Sequence, residues 1–155
     1  MIPFFTHGNS YNYDELSLFK EHYNSSRFQD FLQAGRIKIE YNLSPIDVYK
    51  NLLKSKIVVM PSYSEAFGLA AMEGALAGNA LVISNVGGLP EVIGNDKSRG
   101  YILPEISSQA VYNALVHLIN HPVELEEMAK ASQEYVRREF APEEISAQYD
   151  KLYEL

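Results

Sequence analysis

The sequence predicts an α/β fold, in which a parallel sheet is flanked by helices and followed by a helical C-terminal tail. Short β-branched or apolar runs alternate with longer segments of helical periodicity, and only helical patterns follow the last run. The 155 residues are an ordinary length for one domain, and no linker or internal repeat divides them. We therefore expect a single domain over residues 1–155.

Five apolar or β-branched runs are the predicted strands. They cover residues 2–5, 37–41, 57–60, 81–84 and 101–103. Because helical segments separate the runs, each segment can act as a crossover that returns the chain to the same edge of the sheet. We therefore expect the strands to be parallel and the arrangement to be Rossmann-like.

Seven longer segments are predicted to be helices from their periodicity and from the residues at their ends. Ser44 and Pro45 open one of them, Gly78 caps another, and Pro122 stands at the start of a third. The helices that precede the last strand cover residues 14–23, 27–34, 44–53 and 68–77. The tail helices cover residues 107–120, 123–139 and 142–153. We expect the tail to be mostly exposed.

The composition argues against several classes of protein. A formal net charge of −7 does not suit a nucleic-acid-binding surface, which draws on clustered Lys and Arg. The chain has no cysteine, which excludes disulfides and thiolate metal sites and fits a reducing compartment. No apolar run reaches the length of about 18 residues that a spanning helix needs, and the start lacks the basic region of a signal peptide. We expect a cytoplasmic chain with no direct membrane insertion.

The segment over residues 61–78 carries the most chemical information. It follows the predicted strand 57–60, and ligands of parallel α/β sheets bind beyond the carboxyl ends of the strands. Its helix is apolar nearly all round, which predicts a buried helix, and Glu73 is the only ionisable residue on it. A buried carboxylate needs hydrogen-bond donors, and the hydroxyls of a ribose could supply them. The alternative is that Glu73 lies on a narrow solvent-facing edge.

The start of this helix is a candidate phosphate site. Gly68 allows a ligand to approach the backbone closely, and the free amides of Phe67, Gly68 and Leu69 suit a diphosphate, as does the helix dipole. Small residues in these positions also serve plain packing against a sheet. Glu65 would face the group that the diphosphate carries, or would simply stabilise the positive end of the helix dipole.

A second loop, over residues 85–91, follows the strand 81–84 and leaves the same edge of the sheet. Gly87 and Gly88 allow its backbone amides to line a pocket, and Pro90 begins a short helix. Glycine pairs also serve turns alone. His117 and His121 lie four residues apart, and we expect them to form a solvated pair at a helix end rather than a metal site.

Together these residues resemble the donor-binding signature of retaining glycosyltransferases of the GT-B fold, which include sucrose and glycogen synthases and bacterial polysaccharide enzymes. The resemblance rests on Glu65 and Glu73 separated by seven residues, on the residues between them, and on the later Gly87, Gly88 and Glu91. The preceding Pro61 and Ser62 and the strand over residues 100–103 also match, so the resemblance covers roughly residues 2–141.

The resemblance implies a role for each of these residues. Glu73 would bind the ribose hydroxyls of a nucleotide diphosphate sugar, and Glu65 would contact the transferred sugar. Amides around Phe67, Gly68 and Leu69 would meet the diphosphate and sugar, and the loop with Gly87 and Gly88 would line the sugar pocket. The transfer is retaining and needs no metal or other cofactor, and the chain has no Asp-x-Asp pair of the kind that chelates a metal-bound nucleotide sugar.

The chain departs from the family pattern at its start. The family's C-terminal domain opens with a central strand, a glycine loop with Arg and Lys near the diphosphate, and a helix, and none of these precedes Ile2. We therefore expect weak donor binding, and no transfer by this chain without an N-terminal acceptor domain, which another chain could provide. The alternatives are a split subunit or non-catalytic assembly module, and a nucleotide-sugar epimerase of the same architecture.

Overall fold

The computed structural model describes the backbone of residues 2–4 and all atoms of residues 23–153. The predicted helix over residues 14–23 lies outside these ranges except for its last residue. The chain divides into two units, Met1–Asn51 and Leu52–Leu155, and each is described by itself. The single domain over residues 1–155 remains a prediction.

The first unit contains a parallel pair of strands and two helices. Strand β1 (Ile2–Phe4) pairs with β2 (Ile37–Ile39), with Ile2 opposite Ile37. The helices are α1 (Ser26–Gln33) and α2 (Pro45–Leu52), the last residue of which belongs to the second unit.

The start of α2 is fixed by a local capping arrangement. The Ser44 hydroxyl donates to Oδ2 of Asp47 at 2.6 Å and accepts from the Asp47 amide at 3.3 Å. This hydrogen bond, and the ammonium group of Lys50 3.1 Å from Oδ1, hold the pKa of Asp47 below its usual value. The sequence signal of Ser44 followed by Pro45 was therefore a correct indication of a helix start.

The second unit is built on a three-stranded parallel sheet in the order β3-β4-β5. The strands are β3 (Ile57–Met60), β4 (Ala80–Ile83) and β5 (Tyr101–Ile102). The α/β class and the parallel pairing predicted from the sequence are confirmed, and every predicted strand is present within one or two residues. In the part of the chain that the structure describes, the strands form two sheets rather than one.

The central strand β4 divides the core of this unit into two layers. All four of its residues are fully buried, and their side chains alternate between the two faces of the sheet. Ala80 and Val82 pack against helices α5 (Ser108–Asn120) and α6 (Pro122–Glu139). Leu81 and Ile83 pack against α3 (Leu69–Leu76), the short α4 (Leu89–Val92) and the C-terminal end of α6.

The expectation of a mostly exposed helical tail is wrong for α6. Its buried residues follow a helical stripe and are Leu125, Met128, Ala129, Ser132 and Val136. Charged residues dominate the rest of α6, so its average composition concealed a narrow face that packs on β4 and α3. Of the three tail helices, which all lie in the described residues, the last one, α7 (Pro142–Tyr153), has no buried residue. None of the helices in residues 23–153 is long and apolar enough to cross a membrane.

Helix α6 runs from the amino ends of the strands to their carboxyl ends. Near its start, Glu126 lies 3.7 Å from the ammonium group of Lys56, which directly precedes β3. Just after its end, Phe140 packs edge-on against Phe67, which follows β3, with 5.5 Å between ring centroids. The start of α6 therefore lies near the amino ends of the strands, and its end lies near their carboxyl ends.

Candidate functional site

Strands β3 and β4 end level with each other, because Met60 lies opposite Ile83 in the parallel register. The chain then forms a first loop over residues 61–68, which leads into α3, and a second loop over residues 84–88, which leads into α4. Both loops leave the carboxyl edge of the sheet, where a ligand site is expected in this class of fold. The candidate residues predicted from the sequence all lie on these loops and on α3.

The two loops touch through their backbones. The amide of Gly88 donates to the carbonyl of Ala66 at 3.2 Å. A Cβ atom on Gly87 would collide with the carbonyl oxygen of Glu65, and one on Gly88 would lie 2.7 Å from the Cα of Phe67. Gly87 also has a φ of +49°, in the left-handed region that favours glycine. Both glycines are therefore required by the contact between the loops, and the Gly88 amide is already used in it.

Ser84 holds the first loop in place and was not singled out from the sequence. It is fully buried at the end of β4, and its hydroxyl donates to the carbonyl of Ser62 at 2.6 Å. Its backbone amide donates to the carbonyl of Met60 at 3.1 Å. The only sequence signal was a small polar residue at the last position of a buried strand.

The first turn of α3 presents a row of unused backbone donors. Gly68 precedes the helix with a φ of +98°, and a Cβ there would lie 2.6 Å from a methyl carbon of Leu89. The first amide of the helix that finds an acceptor is that of Met72, which donates to the carbonyl of Gly68 at 3.1 Å. The amides of residues 67–71 donate no hydrogen bond to any residue that the structure describes. The start of α3 therefore offers free backbone donors at the position of the predicted phosphate site.

The composition of α3 predicted a helix that is buried all round, and this prediction is wrong. Ala71, Gly74 and Ala75 are buried, whereas Leu69, Ala70 and Glu73 are exposed. Small apolar residues occupy both faces, so the sequence carried no periodicity that could reveal the exposed one. The alternative placement of Glu73, on a solvent-facing edge, is the correct one. Within residues 23–153 its carboxylate has no hydrogen-bond or ion-pair partner.

The other two predicted side chains in the first loop are partly buried. Glu65 accepts a hydrogen bond from the amide of Ala66 at 3.1 Å, close to the start of α3. The ring of Phe67 packs against the ring of Phe140, which follows α6. The site thus consists of backbone amides at the start of α3, Glu65 before them and Glu73 one helical turn beyond Leu69.

Asn79 fixes the other end of α3 and was also overlooked in the sequence. Its fully buried side-chain amide donates to the carbonyls of Leu52 and Gly74, both at 3.0 Å. The backbone amide of Asn79 donates to the same Gly74 carbonyl at 3.1 Å. The predicted cap, Gly78, precedes it with a φ of +83°. Both ends of α3 are therefore fixed by contacts within the unit.

A separate cluster of potential metal ligands lies at the corner between α5 and α6. His117 and His121, which we expected to form a solvated pair, stack with 4.3 Å between ring centroids. Glu124 joins them, with its two carboxylate oxygens 3.1 and 2.9 Å from Nε2 of His117. The sequence did not predict that Glu124 lies beside the two histidines, because the three residues belong to two helices whose relative orientation the sequence does not show.

The parallel sheet, and the helix start at the carboxyl ends of its strands, define the fold class as an α/β protein of the Rossmann-like type. Residues 22–137 match the family described as glycosyl transferases group 1. The match covers most of the chain, and the chain belongs to this family.

Curated relatives include two kinds of enzyme. The chain is 36% identical over 78 residues to the D-inositol 3-phosphate glycosyltransferase of Streptomyces griseus, a match that covers 50% of this chain and 16% of the relative. It is 29% identical over 103 residues to the glycogen synthase of Mycobacterium tuberculosis, covering 66% of this chain and 24% of the relative. The chain thus spans less than a quarter of these relatives.

Solved structures with a similar fold are GT-B glycosyltransferases, so the predicted fold family is confirmed. Sucrose-phosphate synthase from Thermosynechococcus elongatus superposes with a TM-score of 0.73 at 24% identity, over 91% of this chain and 34% of that one. HepE from Anabaena, solved with UDP, gives 0.70 at 20% identity, over 93% and 39%. The C-terminal domain of a group 1 glycosyl transferase from Francisella tularensis gives 0.65 at 26% identity, over 83% and 65%.

Proposed function

We propose that this chain binds a nucleotide diphosphate sugar and forms the donor half of a retaining hexosyltransferase. The observation that carries the proposal is the row of backbone amides at residues 67–71, which donate to no described residue at the start of α3. Free amides beside the positive end of a helix dipole suit an anion.

The exposed carboxylate of Glu73 adds the second contact. It lies on the same face of α3 as Leu69 and one turn further along, and it has no partner in the described parts of the chain. In the proposed complex the diphosphate meets the amides, and the ribose hydroxyls donate to Glu73. The Anabaena protein with the similar fold was solved with UDP and with UDP-glucose, which makes a uridine nucleotide the first donor to test.

Glu65 completes the proposed site on the sugar side. Three residues separate it from Leu69, the first residue of α3, and Gly87 of the second loop touches its backbone, so the transferred sugar would lie between these two loops. The acceptor would attack from the face that the leaving diphosphate vacates, which keeps the anomeric configuration. The chain's contribution to catalysis is then positioning and stabilisation of the leaving diphosphate by amides and the helix dipole, without a metal ion.

The acceptor must be bound by other residues. The whole relatives are at least four times as long as the part that this chain matches, so we propose an N-terminal acceptor domain as partner, whether covalently linked or on another chain. Alone, the 155-residue chain should bind donor weakly and transfer no sugar. We place the activity in the cytoplasm, and the absence of cysteine is compatible with this.

Calorimetric titration of the purified chain with UDP-, GDP- and ADP-hexoses tests the proposal. We expect one donor to bind, and Glu73→Ala to weaken its binding at least tenfold. Glu127→Ala is the matched control, because Glu127 is also an exposed helical carboxylate with no partner in residues 23–153.

Three results would contradict the proposal. Equal donor binding by the wild-type chain and Glu73→Ala would remove Glu73 from the site. A similar loss in Glu127→Ala would show a general charge effect. A folded chain that binds none of the donors would favour the alternative of an assembly module that acts only with its partner.

A further inference from the structure

We propose that His117, His121 and Glu124 form a binding site for a divalent transition metal ion, with Zn²⁺ as the best chemical fit. The three residues lie at the corner where α5 ends and α6 begins. His117 is in the last turn of α5, His121 joins the two helices, and Glu124 is in the first turn of α6.

The candidate ligand atoms lie close together. One nitrogen from each ring and one carboxylate oxygen of Glu124 all lie within 4.8 Å of one another. The contact between His117 Nε2 and Glu124, at 2.9 Å to the nearer oxygen, requires a proton between the two groups. A metal ion that binds both groups takes the place of this proton. The side chains of His117 and Glu124 are 39% and 48% exposed, so an ion in solution can reach them.

The backbone prepares His121 for the same role. Nδ1 of His121 lies 2.7 Å from the carbonyl oxygen of His117, and because this oxygen only accepts, Nδ1 must carry the proton. In the neutral ring the lone pair is then on Nε2, which is free to bind a metal. A ring that donates its other N–H to a backbone carbonyl is the arrangement that orients histidine ligands in metal sites.

The set of ligands selects the kind of ion. Two imidazole nitrogens and one carboxylate suit Zn²⁺ and its neighbours in the first transition row, whereas Mg²⁺ and Ca²⁺ prefer oxygen ligands. Three protein ligands leave at least one position for water, with expected bond lengths of about 2.0 to 2.2 Å.

This site is distinct from the proposed donor site. Lys56, which contacts Glu126 near the start of α6, directly precedes β3, whereas the donor site follows the end of the same strand. The corner between α5 and α6 therefore lies toward the amino edge of the sheet, and the donor site lies at the carboxyl edge. A metal ion at the corner would link the end of α5 to the start of α6 and stabilise the folded unit.

Calorimetric titration with ZnCl₂ tests the proposal on the full 155-residue chain, free of any affinity tag, in a non-coordinating buffer near neutral pH. We expect one equivalent of Zn²⁺ to bind, and His121→Ala and Glu124→Gln each to weaken binding at least tenfold. Glu127→Gln, an exposed carboxylate one turn further along α6, should leave Zn²⁺ affinity unchanged. Because the substituted side chains are exposed or half-exposed, circular dichroism should show folded variants.

Thermal unfolding supplies an independent readout. Zn²⁺ at saturating concentration should raise the Tm of the wild-type chain and of Glu127→Gln, but not that of His121→Ala. The proposal is overturned if the wild-type chain binds no Zn²⁺. It is also overturned if the double variant His117→Ala/His121→Ala binds Zn²⁺ as tightly as the wild type, because the ion would then use other residues.

Discussion

The two faces of α3 have different roles in the candidate donor site. The buried face is formed by Ala71, Gly74 and Ala75, and it packs so closely that a Cβ on Gly74 would lie 2.9 Å from a methyl carbon of Val58 in β3. The opposite face carries Glu73 and Leu69, the latter 62% exposed, and makes no comparable contact within the described residues. One face fixes the backbone, and the other is free for a ligand.

This difference separates stability from binding. The loop contacts at Gly87 and Gly88, the hydrogen bonds of Ser84 and the small buried residues of α3 determine where the backbone amides lie. Glu73 contributes nothing to that framework, since its carboxylate has no partner in the described residues. Substitutions in the framework should therefore lower the free energy of unfolding, whereas substitution of Glu73 should change ligand binding alone.

The largest loss of stability is expected for Gly87→Ala. The new Cβ would collide with the carbonyl of Glu65, and alanine would also have to adopt a φ of +49°. The left-handed backbone costs about 1–2 kcal/mol and overpacking adds about 1–3 kcal/mol, so the free energy of unfolding should fall by roughly 2–5 kcal/mol. Urea unfolding measures the change.

Gly78→Ala separates the cost of the left-handed backbone from the cost of overpacking. Gly78 has a φ of +83° in the same unit, but its nearest neighbour is the flexible end of Gln133 at 3.3 Å. Its free energy of unfolding should therefore fall only by the cost of the left-handed backbone, about 1–2 kcal/mol. Equal losses for the two variants would mean that the contact between the loops is not tight.

A smaller loss is expected for Ser84→Ala. The substitution removes the hydroxyl that donates to the carbonyl of Ser62 at 2.6 Å, and one such hydrogen bond contributes about 1 kcal/mol. Urea unfolding should show this loss, and amide exchange in the first loop should become faster. A variant with unchanged stability and exchange would show that the loop is held by its other contacts.

The smallest change in stability is expected for Glu73→Ala. An exposed, unpartnered side chain in a helix should alter the free energy of unfolding by less than about 0.5 kcal/mol in either direction. The same variant should lose donor binding. A loss of stability as large as that of Ser84→Ala would show that Glu73 belongs to the framework after all.

The sequence predicted the elements of this fold well, because each strand is a distinct apolar run and proline, serine or glycine marks many helix ends. The boundaries of β3 and α7 agree with the structure to the residue. Burial was less predictable: the small residues of α3 conceal an exposed face, and the charges of α6 conceal a buried stripe. In both helices, packing against β4 decided which face is buried, and composition alone does not reveal it.

The candidate site was predicted from glycines in two loops and from a lone carboxylate on an apolar helix, which stand out in a sequence. Ser84 and Asn79 were missed because their role is to bond backbone carbonyls from distant segments, and such partners exist only in the folded chain. Glu124 was missed for a similar reason, since its position beside His117 depends on the angle between two helices.

Amide hydrogen exchange with and without donor would show whether the start of α3 binds the diphosphate, because the proposed ligand contacts are backbone amides. UDP-glucose is the first probe, at a concentration that saturates the calorimetric signal. We expect slower exchange at residues 67–71 and no change at residues 117–124, which lie toward the amino ends of the strands. Unchanged exchange at residues 67–71 in a saturated chain would contradict the claim that the start of α3 binds the diphosphate.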